Sequence, residues 1–360
     1  MWMRCGEGLV PRCRPVILNL FRRQVQMAGL TMWPRIAKAT RSVGLIAALL
    51  GLVACSPTGA APASATSTVP SGIASTTPSP GPSRTAVAPT APAGSDVEGS
   101  IESGGIKRTY VLHLPPASIR LQPTPLVVAF HGWPMSATGL ADITQLAVVA
   151  DAHGFAVLFP QGYGNSWSVP GGLATPAHEA GIDDIAFVRE LLDSVGPTYQ
   201  LDSSRAVATG ISNGGHLVEA LACSLADHLM GIVPVAAPLR AAGPADCRPV
   251  RPVSVLEILG SDDLGGVAFP DTLAFWAATD KCPDGSVGSD LPDKVDDGTK
   301  VAITSFTGCS SGTEVTGYLV IGGGHAWPGG RPLGSIDDFG RTSREFDASE
   351  LIWTFLSSHT

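Results

Sequence analysis

Past residue 55, this 360-residue chain is poor in positive charge, in long apolar runs and in closely spaced metal ligands. Eight of its 23 Lys and Arg lie in residues 1–55 beside a single acid, leaving 15 basic and 30 acidic residues in 56–360. Binding a phosphate backbone needs clustered Lys and Arg, so nucleic acid is not an expected partner. The longest apolar stretch of the leader, Val43 to Val53, is about 11 residues, well short of the roughly 20 that cross a bilayer. No Cys-x-x-Cys pair or matching His spacing occurs, which argues against a structural metal. No metal, cofactor or internal repeat is expected.

What the N-terminus does contain is an export signal. Arg35, Lys38 and Arg41 precede the short apolar run, and Leu52-Val-Ala-Cys55 closes it. These small residues before a cysteine resemble a bacterial lipobox, in which Cys55 is diacylated and holds the product at the outer face of the membrane. The alternative is ordinary secretion after cleavage nearby. Arg4, Arg12, Arg14, Arg22 and Arg23 are scattered without an apolar core, so translation is expected to start at Met32 or Met27. Residues 56–95 are almost wholly Ala, Pro, Ser, Thr and Gly, too short of apolar bulk to fold. The expected organisation is a leader and lipoprotein signal peptide over 1–55, an extended linker over 56–95 and one folded domain over 96–360. Four cysteines fall in that domain, an even number in an exported protein, and proximity in sequence favours Cys223–Cys247 and Cys282–Cys309.

Within the domain, Val97 to Ser103 and Ile106 to Leu114 read as strands joined at Gly104-Gly105. The apolar run from Pro125 to Phe130 fits a strand buried on both faces, as do Ala156 to Pro160, Met230 to Ala236 and Val253 to Leu259. Val301 to Phe306 and Val315 to Ile321 are also expected as strands. Helical spacing covers Gly139 to His153, Asp183 to Val195, Asn213 to about Asp227, Thr272 to Thr279 and Phe346 to Ser357. Strands alternating with helices predict an α/β domain with a mostly parallel sheet flanked by helices.

Ligands of such sheets sit at the carboxyl ends of the strands. Five segments fall there: His131-Gly-Trp133, Gln161-Gly162, Ser212, Ser261-Asp-Asp263 and His325-Ala-Trp327. Gly210-Ile-Ser-Asn-Gly214 joins a strand to a helix by a sharp turn, which exposes a hydroxyl beside a helix N-terminus. Gly308-Cys-Ser-Ser-Gly312 has the same pattern, but a strand follows it, so it is set aside. Serine, acid and histidine then follow in the order Ser212, Asp263, His325. Serine needs a base to become a nucleophile, and a carboxylate holds that histidine in the correct tautomer.

Together, Phe130-His-Gly-Trp133, Gly181-Ile-Asp-Asp184, Gly210-Ile-Ser-Asn-Gly-Gly215, Leu259-Gly-Ser-Asp-Asp263 and Gly322-Gly-Gly-His-Ala-Trp-Pro-Gly329 resemble the secreted polyhydroxybutyrate depolymerase / feruloyl esterase group. That group includes lipoprotein esterases of actinobacteria, and the resemblance covers roughly residues 100–357. It implies an α/β-hydrolase fold and metal-free ester hydrolysis by a Ser212, Asp263, His325 triad. The group's strand end reads His-Gly-Thr-x-Asp. Leu259 and Ser261 replace its histidine and threonine, and the acid aligns with Asp263 rather than Asp262.

Backbone N–H groups of Asn213 and Trp133 are the expected oxyanion donors. Trp133, Trp167 and Trp327 fall in loops at the active edge and are expected to offer substrate contacts, with His216 a further candidate. His131 is read as structural, and Asp183 and Asp184 as capping and charging a helix start. The expected product is a monomer acting on a polymeric or small ester, attached to the membrane through Cys55. The rival readings are a peptidase or acyltransferase on the same triad, or a non-catalytic cell-surface binding protein.

Overall fold

The computed structural model describes residues 94–239, 247–283 and 285–359. The leader, Cys55 and all but the last two residues of the 56–95 linker lie outside these residues. Among the described residues, no helix is long and apolar enough to cross a membrane.

The strands are β1 (Ser95–Ser103), β2 (Ile106–Leu114), β3 (Leu126–Phe130), β4 (Ala156–Pro160), β5 (Ala206–Ile211), β6 (Leu229–Val235), β7 (Ser254–Gly260), β8 (Val287–Asp290), β9 (Lys300–Phe306) and β10 (Val315–Ile321). They pair in one sheet of order β1-β2-β4-β3-β5-β6-β7-β10-β9-β8. From β4 through β10 every neighbouring pair is parallel, whereas β1-β2-β4 and β10-β9-β8 are antiparallel. The parallel centre with antiparallel margins agrees with the expected sheet.

The helices are α1 (Ala137–Thr144), α2 (Leu146–His153), α3 (Asp184–Tyr199), α4 (Asn213–Ser224), α5 (Phe269–Thr279) and α6 (Ala348–Ser358), with short turns at Pro176–Glu179 and Ile336–Phe339. Side-chain alternation sends Leu126, Val128 and Phe130 of β3 into one core with α3, α4 and α5. Val127 and Ala129 enter the other, with α1, α2 and α6. This two-sided burial is why the central strands are apolar throughout. Asp183 caps α3 by accepting the Ala186 N–H at 2.9 Å, as expected.

Two expectations on local structure are corrected. The segment from Gly139 to His153 is two helices, because Gln145 adopts φ 55° between them. The Thr144 carbonyl there accepts the Ser349 hydroxyl of α6 at 2.6 Å, so the chain turns to follow the core. β8 escaped notice because all four of its residues are exposed and carry no apolar alternation. Both expected disulfides, Cys223–Cys247 and Cys282–Cys309, are present.

Candidate active site

β3, β5, β7 and β10 run in one direction, so the loops after them share one edge of the sheet. The second glycine-serine-glycine pattern, at Gly308–Gly312, precedes β10 and thus lies at the opposite edge. Ser212 stands between β5 and α4 with φ 58° and ψ −121°. For a residue with a Cβ such a conformation costs about 1–3 kcal/mol, so surrounding contacts must impose it. The Ser212 N–H donates to the Val235 carbonyl at 3.0 Å, and its own carbonyl accepts the His216 N–H at 2.9 Å. Gly210 allows the turn to close against β3: a Cβ there would stand 2.7 Å from the Phe130 carbonyl oxygen.

The strand-β3 loop presses on this turn. A Cβ built on Gly132 would lie 3.4 Å from both the Ser212 Cβ and the Ile211 carbonyl oxygen. Trp133 follows directly and is 46% exposed. Asn213, the first residue of α4, has a backbone N–H with no partner inside the helix, as the first turn of any helix must. His216 lies on the same first turn and is half-buried.

After β7, Asp263 places Oδ2 2.8 Å from His325 Nδ1, with side-chain exposures of 6% and 27%. Their two loops are tied together beneath this contact. The Ser261 N–H donates to the Val320 carbonyl and the Asp262 N–H to the Gly323 carbonyl, both at 2.9 Å. The Ser261 hydroxyl accepts the Gly322 N–H at 2.8 Å and donates to Asp262 at 3.0 Å. Serine therefore serves this loop where the related pattern has threonine. Leu259 is buried in the core beneath it. The His325 N–H donates to the Phe339 carbonyl at 2.7 Å, which fixes the histidine backbone.

His131 anchors the site's floor. Its Nε2 accepts the Gly162 N–H at 3.0 Å, so its Nδ1 carries the proton and donates to the Gly132 carbonyl at 2.9 Å. Burial pushes its pKa down to about 4, helped by nearby Arg108.

Two tryptophans placed at the rim by sequence belong to the core instead. Trp167 is fully buried, its indole N–H donating to the His131 carbonyl at 2.8 Å. Its backbone N–H and C=O pair with the Asn213 side chain at 2.8 and 3.1 Å. Trp327 is also fully buried and donates to Ser349 at 3.1 Å. Both loops bend inward there because an indole offers a large apolar area and finds a partner for its one polar atom. Both rings are enclosed by protein rather than exposed at the edge of the sheet.

Sequence reasoning missed Arg108, which is buried and bonded to Asp184 at 2.7 Å. Asp184 also accepts the Ser168 N–H at 2.7 Å. It therefore pins the Gln161–Ala180 loop as well as opening α3. Burial raises its pKa, an effect the Ser168 and Arg108 contacts oppose. The available signal was a charge in β2 at an inward position, in register with Tyr110 and Leu112. Among the described residues, no group of three His, Cys, Asp or Glu is arranged to hold a metal ion.

This architecture defines an α/β-hydrolase. The solved acetyl xylan esterase from Aspergillus awamori has the same fold: TM-score 0.50, 15% identity, covering 68% of this chain and 97% of that one. Residues 108–236 match the family described as Esterase PHB depolymerase. NocK of Nocardia uniformis subsp. tsuyamanensis, named as an esterase, is 30% identical over 281 residues, covering 70% of this chain and 80% of the relative. Feruloyl esterase B of Piromyces equi is 26% identical over 238 residues, 61% of this chain and 42% of that protein. The chain belongs to the Esterase PHB depolymerase family and is a serine esterase, a carboxylic ester hydrolase.

Proposed function

We propose that Ser212 is the nucleophile of an exported carboxylic ester hydrolase, with His325 as its base and Asp263 as the acid that orients the base. The observation that carries this reading is the 2.8 Å contact between His325 Nδ1 and Asp263 Oδ2 at the same sheet edge as the strained Ser212. With Nδ1 facing the carboxylate, Nε2 is the nitrogen available to take the Ser212 proton. Ser212 attacks the ester carbonyl, and the backbone N–H groups of Asn213 and Trp133 receive the oxyanion. His325 then protonates the leaving alcohol, and water releases the acyl group by the same path.

The disulfides support export, since such bonds persist in oxidising compartments. Retention at the membrane through a diacylated Cys55 follows from the lipobox pattern. Exposed Trp133, beside the oxyanion position, suits an aromatic acyl group. Methyl ferulate is therefore the first substrate to compare with acetylated xylan and 3-hydroxybutyrate oligomers.

Ser212→Ala is expected to abolish hydrolysis of p-nitrophenyl butyrate and labelling by a fluorophosphonate while leaving the fold intact. Residual turnover near the wild-type rate removes Ser212 from the mechanism. Absence of labelling favours a binding protein, whereas labelling without turnover of any ester in the panel favours a peptidase or an acyltransferase.

A further inference from the structure

Behind the site, the core holds two carboxyl groups that the proposed mechanism does not use. Glu219 sits on α4, about 10 Å along the helix axis from Ser212, and Glu257 sits on β7, the strand that leads to Asp263. They are 2% and 0% exposed. Trp276 of α5, the helix after the Asp263 loop, donates its indole N–H to Glu219 Oε2 at 2.7 Å. The remaining three oxygens, Glu219 Oε1 and both of Glu257, meet no conventional donor. Each carboxyl is within hydrogen-bonding reach of the other. Those oxygens are satisfied when both groups are protonated, each O–H donating to the other carboxyl, because two unpaired carboxylates in an apolar core are too costly to coexist.

We propose that Glu219 and Glu257 are a hydrogen-bonded carboxyl pair of positioning residues, fixing the helix that carries Ser212 against the strand that carries Asp263. The pair joins three elements, α4, β7 and α5, at one buried point. Apolar side chains would fill the same space without fixing the spacing of α4 and β7, whereas reciprocal hydrogen bonds require it. Ionisation of Glu219 breaks its O–H bond and sends the proton to bulk water, leaving a carboxylate that accepts from Trp276 and from the remaining Glu257 O–H. Loss of the second proton sets like charges against each other and drives α4 from β7.

No cation opposes this among the described residues. Glu257 feels the Glu219 charge, and no Lys, Arg or His offsets either group. On α5 the one titratable side chain, Asp271, is exposed, and Asp280, just past its end, is held at the far end of β7 by the Val253 N–H. From β10 the register partner of Glu257 is Gly317. On α4 itself, His216 stands one turn before Glu219. Burial pushes the Glu219 pKa up to about 8, and burial together with the Glu219 charge raises that of Glu257 well above the usual carboxylate range.

The test is the alkaline limb of the kcat profile for p-nitrophenyl butyrate, measured on wild type and on E219Q/E257Q. Two carboxamides can still pair with each other and accept from Trp276, but cannot ionise. Wild-type kcat is expected to fall above about pH 8 with KM little changed, while the double variant keeps neutral-pH kcat within about threefold and loses that limb. A limb unchanged in the folded double variant, or a wild-type profile flat to about pH 10, overturns the proposal. If the double variant does not fold, wild type alone decides by infrared spectroscopy. A carbonyl band of buried protonated carboxyl groups must be present at neutral pH, and its absence refutes the pair. The proposal rests on the Ser212 reading, and the two fail separately: an active Ser212→Ala removes that reading, whereas an inactive Ser212→Ala, with the same alkaline limb in wild type and E219Q/E257Q, removes only the Glu219–Glu257 pair.

Discussion

His325 and Asp263 are 62 positions apart in the chain and 2.8 Å apart in space. The contact exists because β7 and β10 are adjacent and parallel, so the loops leaving them start side by side. Asp263 is nearly buried, while Asp262 next to it is exposed and accepts the Ser261 hydroxyl. The two acids should therefore separate cleanly by mutation. Asp263→Asn is expected to lower kcat by about 10⁴-fold by destabilising the correct tautomer. Asp262→Asn should stay within about threefold of wild type. Turnover of p-nitrophenyl butyrate, with circular dichroism to verify folding, checks both.

The tryptophans divide by exposure. Trp133→Ala removes an exposed ring beside Gly132 and should raise KM for methyl ferulate by about three- to tenfold, the range of one aromatic contact. Thermal stability should barely change. Trp167→Ala and Trp327→Ala each empty a fully buried site and are expected to cost about 3–5 kcal/mol. Thermal unfolding of the three variants tests this division, which fails if Trp133→Ala is the least stable.

The same residues show what a sequence can and cannot reveal. The central strands and the edge where the site was sought were legible because strands buried on both faces are continuously apolar, and chemistry follows their ends. The inward turn of Trp167 was not legible, because it depends on partners 36 and 46 positions away, His131 and Asn213. A loop position says only that a side chain lies near the edge, whereas hydrogen bonds across the fold decide which way it points. The break at Gln145 has a similar origin in the distant Ser349 hydroxyl. Asp184 fitted its expected place at a helix start, yet its binding partner, Arg108, is 76 residues away.

His131 should set the acid limit of stability. Its folded pKa of about 4 lies below the ordinary 6.5 of the unfolded chain. The unfolded state therefore binds more protons between those values, and stability falls as pH is lowered through this window. A proton on Nε2 would face the Gly162 N–H, a donor against a donor. The loss amounts to about 3 kcal/mol by about pH 4. Urea unfolding between about pH 4 and 7 measures it, and His131→Asn should flatten that slope at the cost of lower stability at neutral pH. An identical slope in the variant would assign the effect to other groups.

Arg108 and Asp184 supply the sharpest test of the buried scaffold. Their side chains are 4% and 0% exposed, so neither charge has water to fall back on. The guanidinium also stacks 3.8 Å from the centre of the Phe187 ring, which fixes it against α3. Asp184→Asn keeps an acceptor for the Ser168 N–H but leaves the guanidinium facing a neutral amide, at a cost of about 3–5 kcal/mol. Arg108→Met in the same background removes the stranded charge and fills its volume with apolar atoms. The double variant should therefore be more stable than Asp184→Asn alone, recovering most of the loss. Urea midpoints for wild type, single and double variants decide it. A double variant weaker than the single one would mean that Arg108 contributes mainly through its stacking on Phe187 rather than through its charge.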